Sequence, residues 1–168
     1  MNRKNIVLCG FMGCGKTTIG SLLAKKTGMA FIDLDKYIEK QEHKTVSEIF
    51  AESGEAHFRM LERNAAAELA AKNGLVIAAG GGTLTFPENV DAFRSNGCRI
   101  VLLDISPEVA AQRLRHDTTR PLLNRPDKDE YIKKLYEQRL PLYREAAGLV
   151  VNADASPMQI CRDIIAEL

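Results

Sequence analysis

The segment from Gly10 to Thr17 constrains this chain more than any other feature of its sequence. It fits the pattern G-x-x-x-x-G-K-[S/T] and lies between a short apolar run and a helix-like stretch. Glycines let backbone N–H groups turn toward an anion, and the following helix adds its positive N-terminal end. We therefore predict a phosphate-binding loop in which Lys16 reaches the terminal phosphates and the Thr17 hydroxyl coordinates Mg²⁺. The alternative is a glycine-rich turn that matches by chance.

Hydrophobic periodicity predicts strands that alternate with helices along the whole chain. The apolar runs that we interpret as buried strands are 5–9, 29–32, 75–78, 98–103 and 148–151. Such alternation predicts an α/β fold, a five-stranded parallel sheet between two helical layers, in one domain spanning 1–168. The segment from about 116 to 129 is polar and contains Pro121 and Pro126, so we predict a mobile loop there.

Two sets of carboxylates compete for the acidic position that a phosphate-loop enzyme needs near its metal. Asp33 and Asp35 follow the second strand, two residues apart, and would share one face of an extended backbone. Asp104 follows the fourth strand. A pair can divide its work between the metal and an acceptor, which favours Asp33 and Asp35. Each has a structural alternative, since Asp35 could cap a helix and Asp104 could be a loop or cap residue.

Composition narrows the classes of partner. The formal net charge is +1, which gives no electrostatic reason to expect binding to nucleic acid or to an anionic membrane. No apolar run approaches the roughly 20 residues that cross a bilayer. The four cysteines form no C-x-x-C pair, so we expect reduced thiols in a cytoplasmic protein. We expect the three histidines to lie on the surface.

Several motifs together resemble the shikimate kinase family in their order and approximate spacing. They cover nearly the whole chain, which makes the set far more specific than the phosphate loop alone. The motifs are Phe11-Met12 within the loop, Phe31-Ile32-Asp33-Leu34-Asp35, Phe58-Arg59, Gly80-Gly81-Gly82, Arg120-Pro121-Leu122-Leu123 and Arg139-Leu140-Pro141-Leu142-Tyr143. The resemblance implies a fold like that of the nucleoside monophosphate kinases, with strand order 2-3-1-4-5.

The resemblance also implies an activity, the transfer of the ATP γ-phosphate to the 3-hydroxyl of shikimate with Mg²⁺, by a cytoplasmic protein that is expected to be a monomer. Asp33 would lie near the metal and act through water. Asp35 would bind the acceptor hydroxyl as base or orienter, in a helical region at about 35–62. Arg120, on the lid, would approach the transferred phosphate. The residues implied for ATP are Gly13, Cys14, Gly15, Lys16, Thr17, Thr18, Arg113 and Arg120, and those implied for shikimate are Asp35, Arg59, Gly80, Gly81, Gly82 and Arg139.

Other interpretations remain open at this stage. Arg59 and Arg139 could be surface residues of charged helices, and Gly80–Gly82 could be a flexible strand exit. The arginines between 113 and 125 could form a solvated face; a nucleic-acid patch is disfavoured because no aromatic residues interleave them. Competing functions are a related small-metabolite kinase such as a gluconate kinase, a nucleoside monophosphate kinase, and a silent nucleotide-binding module.

Overall fold

The structure, a computed structural model, describes residues 3–117 and 123–168. The strands are β1 (Ile6–Cys9), β2 (Ala30–Asp33), β3 (Leu75–Ala78), β4 (Arg99–Asp104) and β5 (Leu149–Asn152). The helices are α1 (Lys16–Thr27), α2 (Leu34–Glu42), α3 (Val46–Ala70), α4 (Pro87–Ser95), α5 (Pro107–Leu114), α6 (Lys128–Ala146) and α7 (Pro157–Ala166). A 3₁₀ turn, Thr83–Thr85, follows the glycine run.

All five strands are parallel and lie in the order β2-β3-β1-β4-β5, so the predicted fold class and strand order are both confirmed. β1 and β3 are apolar and buried along their whole length, because helices cover both faces of a parallel sheet. Around the sheet, helix α1 packs against α7, and helix α3 packs against α4. Every strand boundary falls within one residue of its predicted position.

The register of the sheet brings the chemically important turns to one edge. Leu8 of β1 lies beside Ala78 of β3, and Ala78 lies beside Asp33 of β2. The phosphate loop, the glycine run and the Asp33–Asp35 segment therefore all begin at neighbouring strand ends. Ligands bind at this carboxyl edge in open α/β sheets.

The first half of α3 is separated from the second by Gly54, which has φ 82° and ψ 171°. The sequence pattern also predicts two helices here, at about 46–51 and 55–72, and the break at Gly54 separates them. The first half begins with a capping box, in which Thr45 accepts from Glu48 N and the Glu48 side chain accepts from Thr45 N. The break sets the direction of the second half, which carries Arg59. Among the described residues no helix has the length and apolarity that crossing a membrane requires.

Candidate active site

The phosphate loop is shaped by glycines in left-handed conformations. Gly13 has φ 79° and Gly15 has φ 93°, values that residues with a Cβ rarely adopt. Lys16 Nζ donates a hydrogen bond of 2.7 Å to the Gly10 carbonyl, so the lysine folds back across the loop. The Cys14 side chain inside the loop is buried. The loop thus presents one ammonium group and a helix N-terminus to an anion.

Thr17 and Asp33 form a polar pair that could hold Mg²⁺. Thr17 Oγ1 lies 3.4 Å from Asp33 Oδ2. The other carboxylate oxygen of Asp33 accepts from Lys36 N at 3.0 Å and caps α2. A hydroxyl and a carboxylate suit Mg²⁺, which keeps several waters and shares phosphate oxygens instead of needing an all-protein cage. In the described part of the chain no cluster of three or more His, Cys, Asp or Glu side chains could hold a metal ion.

The expected geometry of the Asp33–Asp35 pair is wrong in one respect. β2 ends at Asp33 and α2 begins at Leu34, so the two aspartates do not share the face of one extended strand. The capping role considered for Asp35 belongs to Asp33, and Asp35 lies in the first helical turn. The reason is that the chain turns directly from strand into helix without a loop.

Asp104, the competing carboxylate, is engaged elsewhere. Its Oδ2 lies 3.4 Å from Arg144 Nη2 on α6, and its backbone carbonyl accepts from Ala153 N at 2.8 Å. Ser106, and not Asp104, caps α5. This geometry favours the structural interpretation of Asp104.

A cleft of about 290 Å³ opens beside the phosphate loop. Arg113 borders it and donates from Nη1 to the Gly13 carbonyl at 2.7 Å. The lining residues are Gly13, Cys14, Gly15, Thr18, Ile19, Arg113, Ala153, Ala155, Pro157 and Ile160. An apolar wall with one guanidinium suits a flat heteroaromatic ring.

The glycine run after β3 is in close contact with three of the side chains predicted to bind the acceptor. A methyl group added to Gly80 would lie 2.8 Å from Asp35 Oδ1, and one on Gly81 would lie 2.8 Å from Arg139 Nη1. A methyl group on Gly82 would lie 2.6 Å from Arg59 Nη1. The structure therefore brings together residues that are far apart in the sequence, such as Asp35 and Arg139. A Cβ at any of these three positions would displace the end of the neighbouring side chain.

Glu62 is a member of this site that the sequence analysis missed. Its carboxylate is 1% exposed, accepts from Arg59 Nη1 at 2.9 Å and from the Thr83 hydroxyl at 2.8 Å. Arg59 is also stacked near the Phe86 ring, 5.2 Å from its centroid, and its side chain is 22% exposed. Arg59 is therefore held by neighbours, unlike the solvated surface residue considered above. The signal was the Arg59–Glu62 spacing of three residues, which puts both on one helix face.

The environment of Asp35 raises its pKa to about 6. Burial is the main cause, and the charges of Asp33 and Glu62 add to it, while Lys16 opposes them. An aspartate with this pKa accepts a proton more readily than an ordinary one and remains ionised at neutral pH. The 3.4 Å contact between Thr17 and Asp33 joins the phosphate loop to the segment that carries Asp35.

Some predicted features are not part of this geometry. Arg120 lies outside the described residues, as does the central part of the loop predicted at 116–129. Within the described remainder of that loop Leu123 is buried, and Arg125 pairs with Asp127 through Nη2 at 3.0 Å. His43 and His116 are exposed as expected, but His57 is half-buried on α3, so the expectation of a surface position is wrong for that residue.

Comparison with known proteins gives a consistent family. The sequence model of the family described as shikimate kinase matches residues 12–168. A curated shikimate kinase from a Sulfurihydrogenibium species is 42% identical over 166 residues, which cover 98% of each chain.

Solved structures agree with the sequence match. A shikimate kinase from Acinetobacter baumannii, solved in complex with shikimate, is 34% identical with a TM-score of 0.91, covering 98% of this chain and 92% of that one. The enzyme from Bacteroides thetaiotaomicron is 39% identical with a TM-score of 0.88 and coverages of 98% and 99%. A gluconokinase from Sinorhizobium meliloti is 19% identical with a TM-score of 0.60, which shows a shared fold alone. With a family match along nearly its whole length and relatives above 40% identity, this chain belongs to the shikimate kinase family.

Proposed function

We propose that this protein transfers the γ-phosphate of ATP to the 3-hydroxyl of shikimate, giving shikimate 3-phosphate and ADP. The observation that carries this proposal is the convergence of Asp35, Arg59 and Arg139 on the glycine run, beside the phosphate loop. Two guanidinium groups suit a planar carboxylate, and a carboxylate suits a hydroxyl. Shikimate carries both groups. The family match supports the same reaction.

On the acceptor side, Arg59 and Arg139 bind the shikimate carboxylate, and Gly80–Gly82 offers its backbone to the ring. Asp35 accepts a hydrogen bond from the 3-hydroxyl of shikimate. This bond orients the hydroxyl oxygen toward the γ-phosphorus of ATP. As the new P–O bond forms and the bond to the β–γ bridging oxygen breaks, the hydroxyl proton moves toward Asp35. The raised pKa of Asp35 makes it a better proton acceptor than an exposed aspartate.

On the nucleotide side, Lys16 turns from the Gly10 carbonyl to the β- and γ-phosphates, with Gly13, Cys14, Gly15 and Thr18 around them. Arg113 covers the adenine in the adjoining cleft. Thr17 and Asp33 would hold Mg²⁺, Asp33 through water, and the ion would neutralise charge on the phosphates. Phosphoryl transfer depends mainly on such positioning and charge stabilisation.

Further parts of the proposal rest on the resemblance. Arg120 approaches the transferred phosphate from the loop at 116–129, which closes as a lid and keeps water from competing with shikimate. The helical region at 35–62 holds the acceptor. We also propose a monomer that works in the cytoplasm.

The test is Mg²⁺-dependent release of ADP from ATP, with and without shikimate, with mass detection of the product. We expect ADP and shikimate 3-phosphate to form in equal amounts, and replacement of Mg²⁺ by EDTA to stop both. Gluconate is the matched alternative acceptor, since it also carries a carboxylate and hydroxyls and a gluconokinase shares the fold. Phosphorylated gluconate without phosphorylated shikimate would replace this proposal by the gluconate kinase alternative.

A further inference from the structure

Helix α6 contacts the glycine run through two side chains that lie one turn apart. Arg139 and Tyr143 are four residues apart and so point from one face of the helix. Arg139 Nη1 lies 2.8 Å from the position of a Gly81 methyl group. The Tyr143 hydroxyl donates a hydrogen bond to the carbonyl of the same glycine. Both side chains therefore meet the turn at Gly81.

The bond from Tyr143 differs from two other hydrogen bonds of this turn. Like the bond from Thr83 to Glu62 of α3, it joins the turn to another element. The Gly80 carbonyl accepts from Thr83 N at 3.2 Å, and the Gly82 carbonyl accepts from the Thr85 hydroxyl at 2.6 Å. Those donors belong to the turn itself. Tyr143 belongs to α6, so its bond fixes the turn relative to another element of the fold.

The Tyr143 side chain is buried, with only 1% of its surface exposed. Burial raises the pKa of Tyr143 to about 12, so the hydroxyl keeps its proton and acts as a donor throughout the working pH range. Arg139 opposes that rise, while Cys9 at the end of β1 and Cys14 in the phosphate loop add to it. The Tyr143 hydroxyl is thus a permanent donor to the Gly81 carbonyl.

We propose that Tyr143 is a positioning residue for the acceptor, because its hydroxyl holds the Gly81 carbonyl at a fixed place relative to Arg139. Loss of this bond lets the turn shift away from Arg139, so that the guanidinium and the backbone of Gly80–Gly82 no longer fit one shikimate molecule. The inference rests on the proposed function, which assigns Arg139 and the turn to shikimate.

The main experiment compares the wild-type enzyme with Tyr143→Phe, which keeps the ring and removes one hydroxyl. Calorimetric titration suits this chain because it contains no tryptophan for fluorescence. We expect the Kd for shikimate to rise about five- to tenfold, the usual cost of one buried hydrogen bond. The Kd for a non-hydrolysable ATP analogue should stay within about twofold. In turnover, KM for shikimate should rise by a similar factor and kcat should change less.

Tyr136→Phe is the matched control. Tyr136 lies on the same helix, is also buried, and donates to a backbone carbonyl, that of Ile105, at 2.7 Å. Its variant should lose comparable thermal stability but bind shikimate within about twofold of wild type. If both variants weaken shikimate binding equally, general loosening of α6 is the cause and the proposal fails. An unchanged shikimate Kd in Tyr143→Phe also overturns it.

A second variant replaces Tyr143 by 4-aminophenylalanine, whose amine can still donate to Gly81. We expect it to bind shikimate within about threefold of wild type. If this variant folds but binds shikimate as weakly as we expect of Tyr143→Phe, the hydrogen bond to Gly81 is not the cause of the weaker binding, and the proposal fails.

The titration of the wild-type enzyme separates this inference from the proposed function. A wild-type enzyme that does not bind shikimate contradicts the proposed function, whereas normal wild-type binding with an unaffected Phe variant contradicts this inference alone.

Discussion

Asp35 lies among charges that make its ionised form costly. Asp33 and Glu62 repel its negative charge, and burial removes part of its hydration, while Lys16 compensates in part. The folded protein therefore binds the Asp35 proton more tightly than the unfolded chain does. The stability that this proton contributes is fully present below about pH 3.8 and is lost as the pH rises through about 6. The ionised form of Asp35 is thus kept at the expense of stability.

Asp35→Asn should consequently stabilise the protein while it removes activity. At pH 8, without nucleotide or metal, we expect a melting temperature about 2–6 °C higher than wild type, since an uncharged isostere replaces a repelled carboxylate. At pH 4 the difference should disappear. Turnover should fall at least about hundredfold with ATP binding retained. Calorimetric melts at both pH values and the coupled ADP assay measure these effects; a variant less stable than wild type at pH 8 would contradict this account of Asp35.

Gly82 tests whether the glycine run is built for the arginines. Its φ of −98° and ψ of −8° are ordinary, so alanine adds no backbone strain, but its methyl group would lie 2.6–2.9 Å from the Arg59 guanidinium. Gly82→Ala should therefore displace Arg59 and raise KM for shikimate about tenfold or more, with a melting temperature within about 3 °C of wild type.

Gly148→Ala is the control for this substitution. Its new methyl group would meet nothing nearer than the Ile100 carbonyl at 3.8 Å, an ordinary contact. KM for shikimate should then stay at the wild-type value. Equal KM values for both alanine variants would mean that the approach of Arg59 to Gly82 has no role in binding.

At the scale of elements, Gly54 divides helix α3 into two halves that run in different directions. The ψ of 171° with positive φ is a conformation that glycine alone adopts easily. The second half of α3, which starts after this break, carries both Arg59 and Glu62. The break therefore determines the angle at which both side chains approach the glycine run.

Gly54→Ala should lower the free energy of unfolding by about 1–3 kcal/mol. The melting temperature should therefore fall by roughly 3–10 °C. The cause is backbone strain alone, because a methyl group at this position would meet no atom within 4 Å. Ser53→Ala, at the exposed helical position next to it, should leave the melting temperature unchanged or slightly higher. Equal melting temperatures for Gly54→Ala and wild type would show that the break is not a strained feature.

At the scale of the whole molecule, the four cysteines report on how tightly the sheet and phosphate loop are packed. All are free; Cys9, Cys14 and Cys161 are buried, and Cys98 is half-buried. Burial raises the pKa of Cys9 to about 12 and also raises the pKa of Cys98 and Cys161. Since the thiolate is the reactive form, these thiols should react slowly in the folded protein.

Native protein treated with iodoacetamide at pH 8 should therefore gain at most one label, at Cys98, while protein unfolded in guanidinium should gain four. Peptide mass mapping identifies the sites. A reductant should not increase the count, because the fold contains no disulfide. Rapid native labelling of Cys14 would contradict the closed packing of the phosphate loop.

The phosphate loop was predictable residue by residue because its ligands are consecutive in the chain. Local glycine conformations and one helix N-terminus shape this loop, so eight adjacent residues are sufficient to specify it. The strands were also accessible, since burial on both faces requires continuous apolar runs. The strand order followed from the family resemblance and not from periodicity, and the structure confirms it.

The sequence by itself thus determined the α/β fold class, the phosphate loop and the family, because these depend on local pattern. Only the tertiary structure decided which distant residues meet. Asp33 caps α2 beside Thr17, Asp104 pairs with Arg144, and Glu62 and Tyr143 hold the turn that contains the glycine run. The physical reason is that these contacts and the raised pKa of Asp35 depend on strand order, helix direction and burial, which no short segment encodes.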